Sequence, residues 1–238
     1  MSEWAPKRFW KETTVTEAPQ GFTVTLDGRG IKTPAKTPIH VPTRTLAEAL
    51  AAEWEAQEAK VNPATMPFTR TTNSALDKVA TQRAEVADML AAYGDADLTC
   101  YRAGTPEELV ARQAAAWDPL LDWLDLTFGA RLHPRTGVMH EPQDARALDI
   151  LLRQVHALSP FELAAFHDLV SMSGSLVIGL AVTRGVDAPD ALWDLSRIDE
   201  TWQEEQWGRD EEAHAQAEYK RGEFLHAARY YAMCLPQR

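Results

Sequence analysis

Val61-Asn-Pro-Ala-Thr-Met-Pro-Phe68 is the stretch that decides the fold. Proline has no amide hydrogen and disfavours helix in the residue before it, so Pro63 and Pro67 break any continuous helix here. On the N-terminal side, residues 1–42 are rich in Thr, Val, Pro and Gly and poor in helix formers. Phe22-Thr-Val-Thr-Leu26 alternates, Asp27-Gly-Arg-Gly30 supplies turn chemistry and Ile31-Lys-Thr33 resumes, which predicts a β-hairpin. Pro34 and Pro38 confine Ile39-His-Val41 to a short or edge strand. Thr45-Leu-Ala-Glu48 reads as a capping box that opens an Ala-rich helix running to about Lys60, with Leu46, Leu50 and Trp54 turned to cover the small sheet.

On the C-terminal side the period changes to that of helices. Thr69 to Tyr93 predicts helix in two pieces, with Leu76, Val79, Val86 and Leu90 as core positions. Leu98-Thr-Cys-Tyr-Arg102 reads as an extended stretch or loop. Thr105-Pro-Glu-Glu108 starts a capped helix that carries Trp117, Leu120, Leu121 and Leu124 and stops at Gly129. Residues 131–142 form an irregular connection. Asp144 to Leu158 is a further helix, and Ser159-Pro-Phe-Glu162 caps the next. Ser173 to Ala181 is nearly all apolar or small, the mark of a helix at the centre of a bundle, with Ser171, Gly174, Ser175 and Gly179 permitting close helix contact. The expected fold is therefore α+β in two domains: a β-rich N-terminal domain with a covering helix over 1–63, and a larger helical domain over 64–238.

Asp190 to His214, DALWDLSRIDETWQEEQWGRDEEAH, packs three tryptophans and nine carboxylates into twenty-five residues. Read as one helix, Leu192, Leu195, Ile198, Trp202, Ala213 and Ala217 fall on a core stripe. Trp193, Glu200, Glu204, Trp207, Glu211 and His214 fall on a second, mixed aromatic and acidic face. Such a face is either a solvated surface or a presented one, where rigid aromatic anchors ringed by carboxylates suit a partner rich in Arg or Lys. Gly208 is a candidate break within it, because glycine costs about 1 kcal/mol relative to alanine inside a helix.

With 24 basic and 35 acidic residues the chain carries a formal charge of −11. That balance argues against nucleic acid or an anionic membrane as the main partner, since both need a basic footprint. Cys100 and Cys234 show no metal-ligand or redox spacing, which leaves a reducing compartment as the expectation. The start, MSEWAPKRFWKE, lacks the apolar core of a signal peptide. The longest apolar run, Leu176 to Val182, is too short to span a bilayer.

Catalytic motifs are weak. Glu211/His214 and Glu223/His226 have the ExxH spacing of dinuclear metal sites, but twelve residues on one helix is a rise of some 18 Å, whereas such sites need facing helices. Asp95-Ala-Asp97 lacks any accompanying Gly-rich phosphate loop, Asp27-Gly-Arg-Gly30 is a turn, and no GxSxG occurs. No metal, no cofactor and no enzymatic activity are expected.

Several blocks, taken in order, carry a resemblance. Val61-Asn-Pro-Ala-Thr-Met-Pro-Phe-Thr-Arg70 with Asn73 and Ala75-Leu-Asp77, Asp95-Ala-Asp-Leu-Thr-Cys-Tyr-Arg102, and Gln113 with Trp117-Asp-Pro-Leu-Leu-Asp-Trp123 are the first three. Gly174-Ser-Leu-Val-Ile-Gly-Leu-Ala181 and Trp207-Gly208 with Glu211 and His214 complete the set. Across about residues 7–230 the chain resembles the assembly chaperone of the F-type ATP synthase α subunit, a family of mitochondria and α-proteobacteria. Where members commonly carry an apolar residue after the Met-Pro-x-Thr-Arg block, this chain has Thr71 and Thr72.

The resemblance implies a β-rich N-terminal unit, a helical C-terminal unit and a function without catalysis: holding free α subunit until β subunit replaces the chaperone. It also points to a functional glutamate in the acidic block, Glu211 first and Glu200 second, with Glu204, His214 and the anchors Trp193 and Trp207 beside them. The implied partner is the α subunit, with no nucleic acid, no stable membrane insertion and a monomer when free. The implied compartment is bacterial cytoplasm, or the mitochondrial matrix for a processed eukaryotic form. The readings it competes with are a carboxylate-bridged metal oxidoreductase and a generic helical adaptor.

Overall fold

The computed structural model describes residues 7–236, so the expectation about the first residues of the chain lies in part outside them. Among the described residues the fold is α+β and mostly helical, with ten α-helices and five short strands. None of these helices is long and apolar enough to cross a membrane. The chain gathers into two compact units. The first takes residues up to Arg83, then Ser159–Ala165, then the chain from Arg229; the second takes Ala84–Leu158 and Phe166–Ala228. The sequence reading drew one cut at 63/64, whereas the first unit also collects helical segments from much later in the chain.

In the first unit β1 (Thr13–Ala18), β2 (Gly21–Leu26) and β3 (Arg29–Gly30) form an antiparallel sheet in sequence order. The expected hairpin is present, but its turn is tighter than read: Arg29 and Gly30, assigned to the turn, form the return strand β3 in place of Ile31–Thr33, and β1 is a further strand of the expected β-rich region. Gly21 is required there: it has φ +121°, and a Cβ would lie 2.3 Å from the Val41 carbonyl oxygen. Ile39-His-Val41 does not form a full strand but touches the sheet through single bridges, Phe22 to Val41 and Lys32 to Pro38. Helix α1 (Arg44–Glu55) covers the sheet with Leu46 and Leu50, both fully buried. Its cap is Thr43 rather than the expected Thr45: the extended Thr43 places its hydroxyl to accept from Leu46 N at 3.2 Å, three residues on. The two-proline segment makes a short 3₁₀ turn, Pro63–Thr65, and α2 (Pro67–Ser74) follows.

Glu53 joins these helices. Its carboxylate accepts from Phe68 N at 2.6 Å and Thr69 N at 2.8 Å, filling two of the orphan donors at the N-terminus of α2. Burial raises its pKa above the usual carboxylate range, against the opposing pull of those hydrogen bonds. Thr72, fully buried, shares a 3.0 Å hydrogen bond with the Tyr230 hydroxyl. That pairing is how a polar residue is tolerated in this core.

In the second unit α3 (Arg83–Ala91) leads through 3₁₀ turns to a short strand, β4 (Tyr101–Arg102), which pairs in parallel with β5 (Arg135–Thr136). Between them α4 (Glu107–Phe128) buries Trp117, Leu121 and Leu124 and ends at Gly129, left-handed at φ 67°, as expected. At its start Pro106, not Thr105, holds the cap position, and its carbonyl accepts from Leu109 N and Val110 N at 3.1 Å. Helix α5 (Ala145–His156) is capped by Asp144, and the Ser159/Glu162 capping box opens α6 (Pro160–Ser173) as read.

The apolar run Leu176 to Val182 lies in one helix, which starts at Leu176 and not at Ser173 as read. Gly174, at φ 70°, separates α6 from α7 (Leu176–Arg184), and Ser175 caps the latter. Of the small residues read as a helix-contact stripe, Gly179 fills that role, since a Cβ there would lie 2.8 Å from the Val170 side chain. Asp97 anchors the junction. Fully buried, it accepts from Thr99 N and Oγ1, from the Ser175 hydroxyl at 2.7 Å and from Val177 N at 3.0 Å. Its place in an apparent metal motif therefore resolves into a buried cap for α7.

Candidate functional site

The acidic stretch forms three helices instead of one: α8 (Pro189–Leu195), α9 (Ile198–Trp207) and α10 (Glu211–Cys234). The first break follows Ser196, whose amide and hydroxyl both bond back to the Trp193 carbonyl, at 2.9 and 2.6 Å. The second is at Gly208, φ 88° and ψ 164°, where the sequence allowed one. Asp210 then restarts the chain as a helix by accepting from Glu212 N and Ala213 N at 2.9 and 3.0 Å.

These breaks take apart the continuous face. Trp193 is 3% exposed and packs on Phe224 at 5.4 Å between ring centroids, so it is a core residue and not a presented anchor. The error came from extrapolating one helical phase across Ser196, where the phase resets. Glu200, Glu204 and Trp207 stay together on α9, whereas Glu211 and His214 belong to the first turn of α10. Glu200 is half-buried and bonds Arg197 at 2.7 Å; Glu204 is half-buried, Glu211 exposed and His214 half-buried. The core stripe fares likewise: Leu192 and Ile198 are buried, but Ala213, beyond the second break, is exposed.

Helix α9 is held against α4 by polar contacts. Arg112 grips Glu205 with two parallel 2.8 Å bonds and lies 5.8 Å from the Trp202 ring centroid. Those bonds hold the Glu205 carboxyl below its usual range. Gln113 donates to Asp199 at 2.6 Å while its carbonyl oxygen accepts from Ala103 N at 2.8 Å, so one buried amide ties together α4, α9 and the loop after β4. Trp117 donates to the Leu195 carbonyl at 2.8 Å, which ties the end of α8 to α4.

Between these elements lies an open groove of about 430 Å³, floored by Leu109, Gln113 and Trp202 and edged by Trp207 and Val138. Trp207 is 79% exposed and Val138 91%. Apolar groups this large standing in water beside a groove are the pattern of a protein-binding surface. Val138 and Met139 were missed from sequence. The signal was two adjacent apolar residues in an otherwise polar, Gly-containing connection, a place where no core position requires them.

Nothing about the site suggests catalysis. Among the described residues no group of three or more His, Cys, Asp or Glu could hold a metal ion. The two ExxH pairs lie along α10, where His226 is buried and His214 half-buried. Burial raises the Cys100 thiol to about 12, which leaves it protonated and unreactive.

Comparison with known proteins agrees with a binding role. The family model for the ATP12 chaperone protein matches residues 7–125. The crystal structure of Atp12 from Paracoccus denitrificans is 45% identical, with a TM-score of 0.94 over 96% of this chain and 98% of that one. The Atu1473 protein from Agrobacterium tumefaciens is 41% identical, with a TM-score of 0.90 over 97% of this chain and 87% of that one. The mitochondrial protein atp12 of Schizosaccharomyces pombe is 25% identical over 220 residues, 87% of this chain and 76% of its own length. The family is named for chaperones rather than enzymes. On this match and these identities, the chain belongs to the ATP12 chaperone family.

Proposed function

We propose that this protein is an assembly chaperone that binds the free α subunit of the F-type ATP synthase head and shields its subunit interface until β subunit replaces it. The observation that carries the reading, beside family membership, is the apolar groove edged by Trp207 and Val138, one side of which is α9, the helix that also carries Glu200 and Glu204. An orphan subunit of an obligate ring exposes a large apolar interface and aggregates through it. A chaperone surface of about 1,600 Å² or less, built on a few aromatic anchors, hides such an interface and still yields to the proper partner.

In this reading Trp207 is the anchor. Glu200 and Glu204 on α9, with Glu211 and His214 at the start of α10, meet Arg or Lys side chains of the α subunit and set encounter rate and register. Trp193 has no direct part. The two-domain organisation, β-rich then helical, and action in the bacterial cytoplasm or the mitochondrial matrix belong to the same proposal.

The test is co-expression of the tagged chain with ATP synthase α subunit, alone and with β subunit. The α subunit should co-purify when alone and be released when β is supplied. Capture of an unrelated basic protein with no retention of α subunit would point instead to a generic adaptor.

A further inference from the structure

The first unit holds a second surface, lined by basic and apolar residues. Two cavities, of about 570 and 370 Å³, share Lys32, Trp54 and Val61 and so form one elongated cleft. None of the residues lining either cavity is acidic, although the chain as a whole carries −11. Lys7, Arg29 and Lys32 stand exposed on the rim of the smaller cavity. Between the cations the walls are apolar, with Trp10 and Trp54 meeting edge to face at 5.4 Å.

Two features suit this cleft to an extended polypeptide. One wall includes Arg29 and Gly30 of the two-residue β3 at the edge of the sheet, where a Cβ placed on Gly30 would meet nothing within 4 Å; the next residues, Ile31 and Lys32, are already paired with Ile39 and Pro38. This short exposed edge beside apolar pockets gives an extended peptide a place to begin pairing. The second feature is unmet hydrogen-bonding capacity. Trp10 is 4% exposed, and its indole nitrogen, like that of Trp54, has no acceptor among the described residues. Buried donors normally have partners, so an occupant that brings acceptors would complete the site.

We propose that this cleft is a docking surface for an extended acidic segment of a protein partner. Its carboxylates meet Lys7, Arg29 and Lys32 while its apolar side chains enter beside Trp10 and Trp54. The inference goes beyond the proposed function and does not depend on the client being the α subunit, because its test uses synthetic peptides.

The experiment titrates the full chain with a twelve-residue peptide of alternating glutamate and leucine, followed by calorimetry and tryptophan fluorescence. The matching lysine–leucine peptide and vesicles of phosphatidylglycerol are the comparisons. The acidic peptide should bind at least tenfold more tightly than the basic one, shift the tryptophan emission and weaken as salt rises. The double variant Arg29→Glu/Lys32→Glu, checked for an unchanged melting temperature, should reverse that preference; Lys32→Ala provides a milder second variant that should weaken acidic-peptide binding alone. Equal binding of both peptides, undiminished binding of the acidic peptide to these folded variants, or binding to vesicles alone would overturn the proposal. So would binding that appears only after residues 1–6 are removed, which would assign the cleft to the start of the chain itself.

Discussion

Trp193 and Trp207 come from the same acidic stretch and share one helical phase on paper, yet one is 3% exposed and the other 79%. The ring of Trp193 packs on Phe224; around Trp207 the helix ends, Gly208 turns the chain away and a groove opens beside the ring. The difference teaches that residue type and composition do not separate an anchor of the fold from an anchor for a partner. Local breaks do, because each one resets which side of a helix faces the core.

The largest expected effect tests the buried half of this contrast. Trp193→Ala should lower stability by about 3–5 kcal/mol through lost burial and a cavity against Phe224. In a chain of this size that is a fall in melting temperature on the order of 10 °C, measured by thermal denaturation. A change under about 0.5 kcal/mol would mean that Trp193 does not hold α8 in place.

A smaller effect separates carboxylates that build the fold from those that face water. Glu53→Gln leaves one of the two amides, Phe68 N or Thr69 N, facing an amide group instead of an acceptor, which costs about 1–3 kcal/mol. The pH dependence has a defined sign. Because burial raises the folded pKa of Glu53 above its ordinary 4.5, the folded state keeps a proton that the unfolded state has lost. The contribution of this group is fully present below about pH 4.5 and declines as pH rises through the folded pKa. The stability advantage of the wild type over Glu53→Gln, read from urea denaturation across pH 4–8, should therefore shrink as pH rises. An advantage that grew with pH would reverse the assignment.

Much of the architecture could be read from local chemistry. The two prolines at 63 and 67, Gly129 at the end of α4 and the Ser159/Glu162 capping box each act within a few residues, and each lies where expected. What could not be read depends on distant partners. The pairing of β4 with β5 joins residues more than thirty apart through two-residue strands. Asp97 looked like half of a metal motif because two of the four donors that fill its carboxylate, Ser175 and Val177, lie far along the chain. At the candidate site Trp207 was legible from its Trp/Glu surroundings, but Val138 was not, since its exposure is set by the tertiary position of a loop. Arg112 was not singled out and Gln113 was read only as part of a resembling block, though their side chains are what hold α9 beside the groove.

The exposed half of the comparison carries the central claim, and its effect on stability is the smallest. Trp207→Ala removes a side chain that stands in water, so the melting temperature should stay within the range of a surface change, about 0.5 kcal/mol. Loss of a hot-spot tryptophan should nonetheless weaken partner binding by about 2 kcal/mol or more, on the order of thirtyfold. The direct measurement is light scattering of isolated ATP synthase α subunit at rising concentrations of the wild-type chain or Trp207→Ala. The expected result is that the folded variant needs roughly thirty times more protein to suppress aggregation; equal suppression by the two proteins would contradict the assignment of the groove at Trp207 as the client-binding surface.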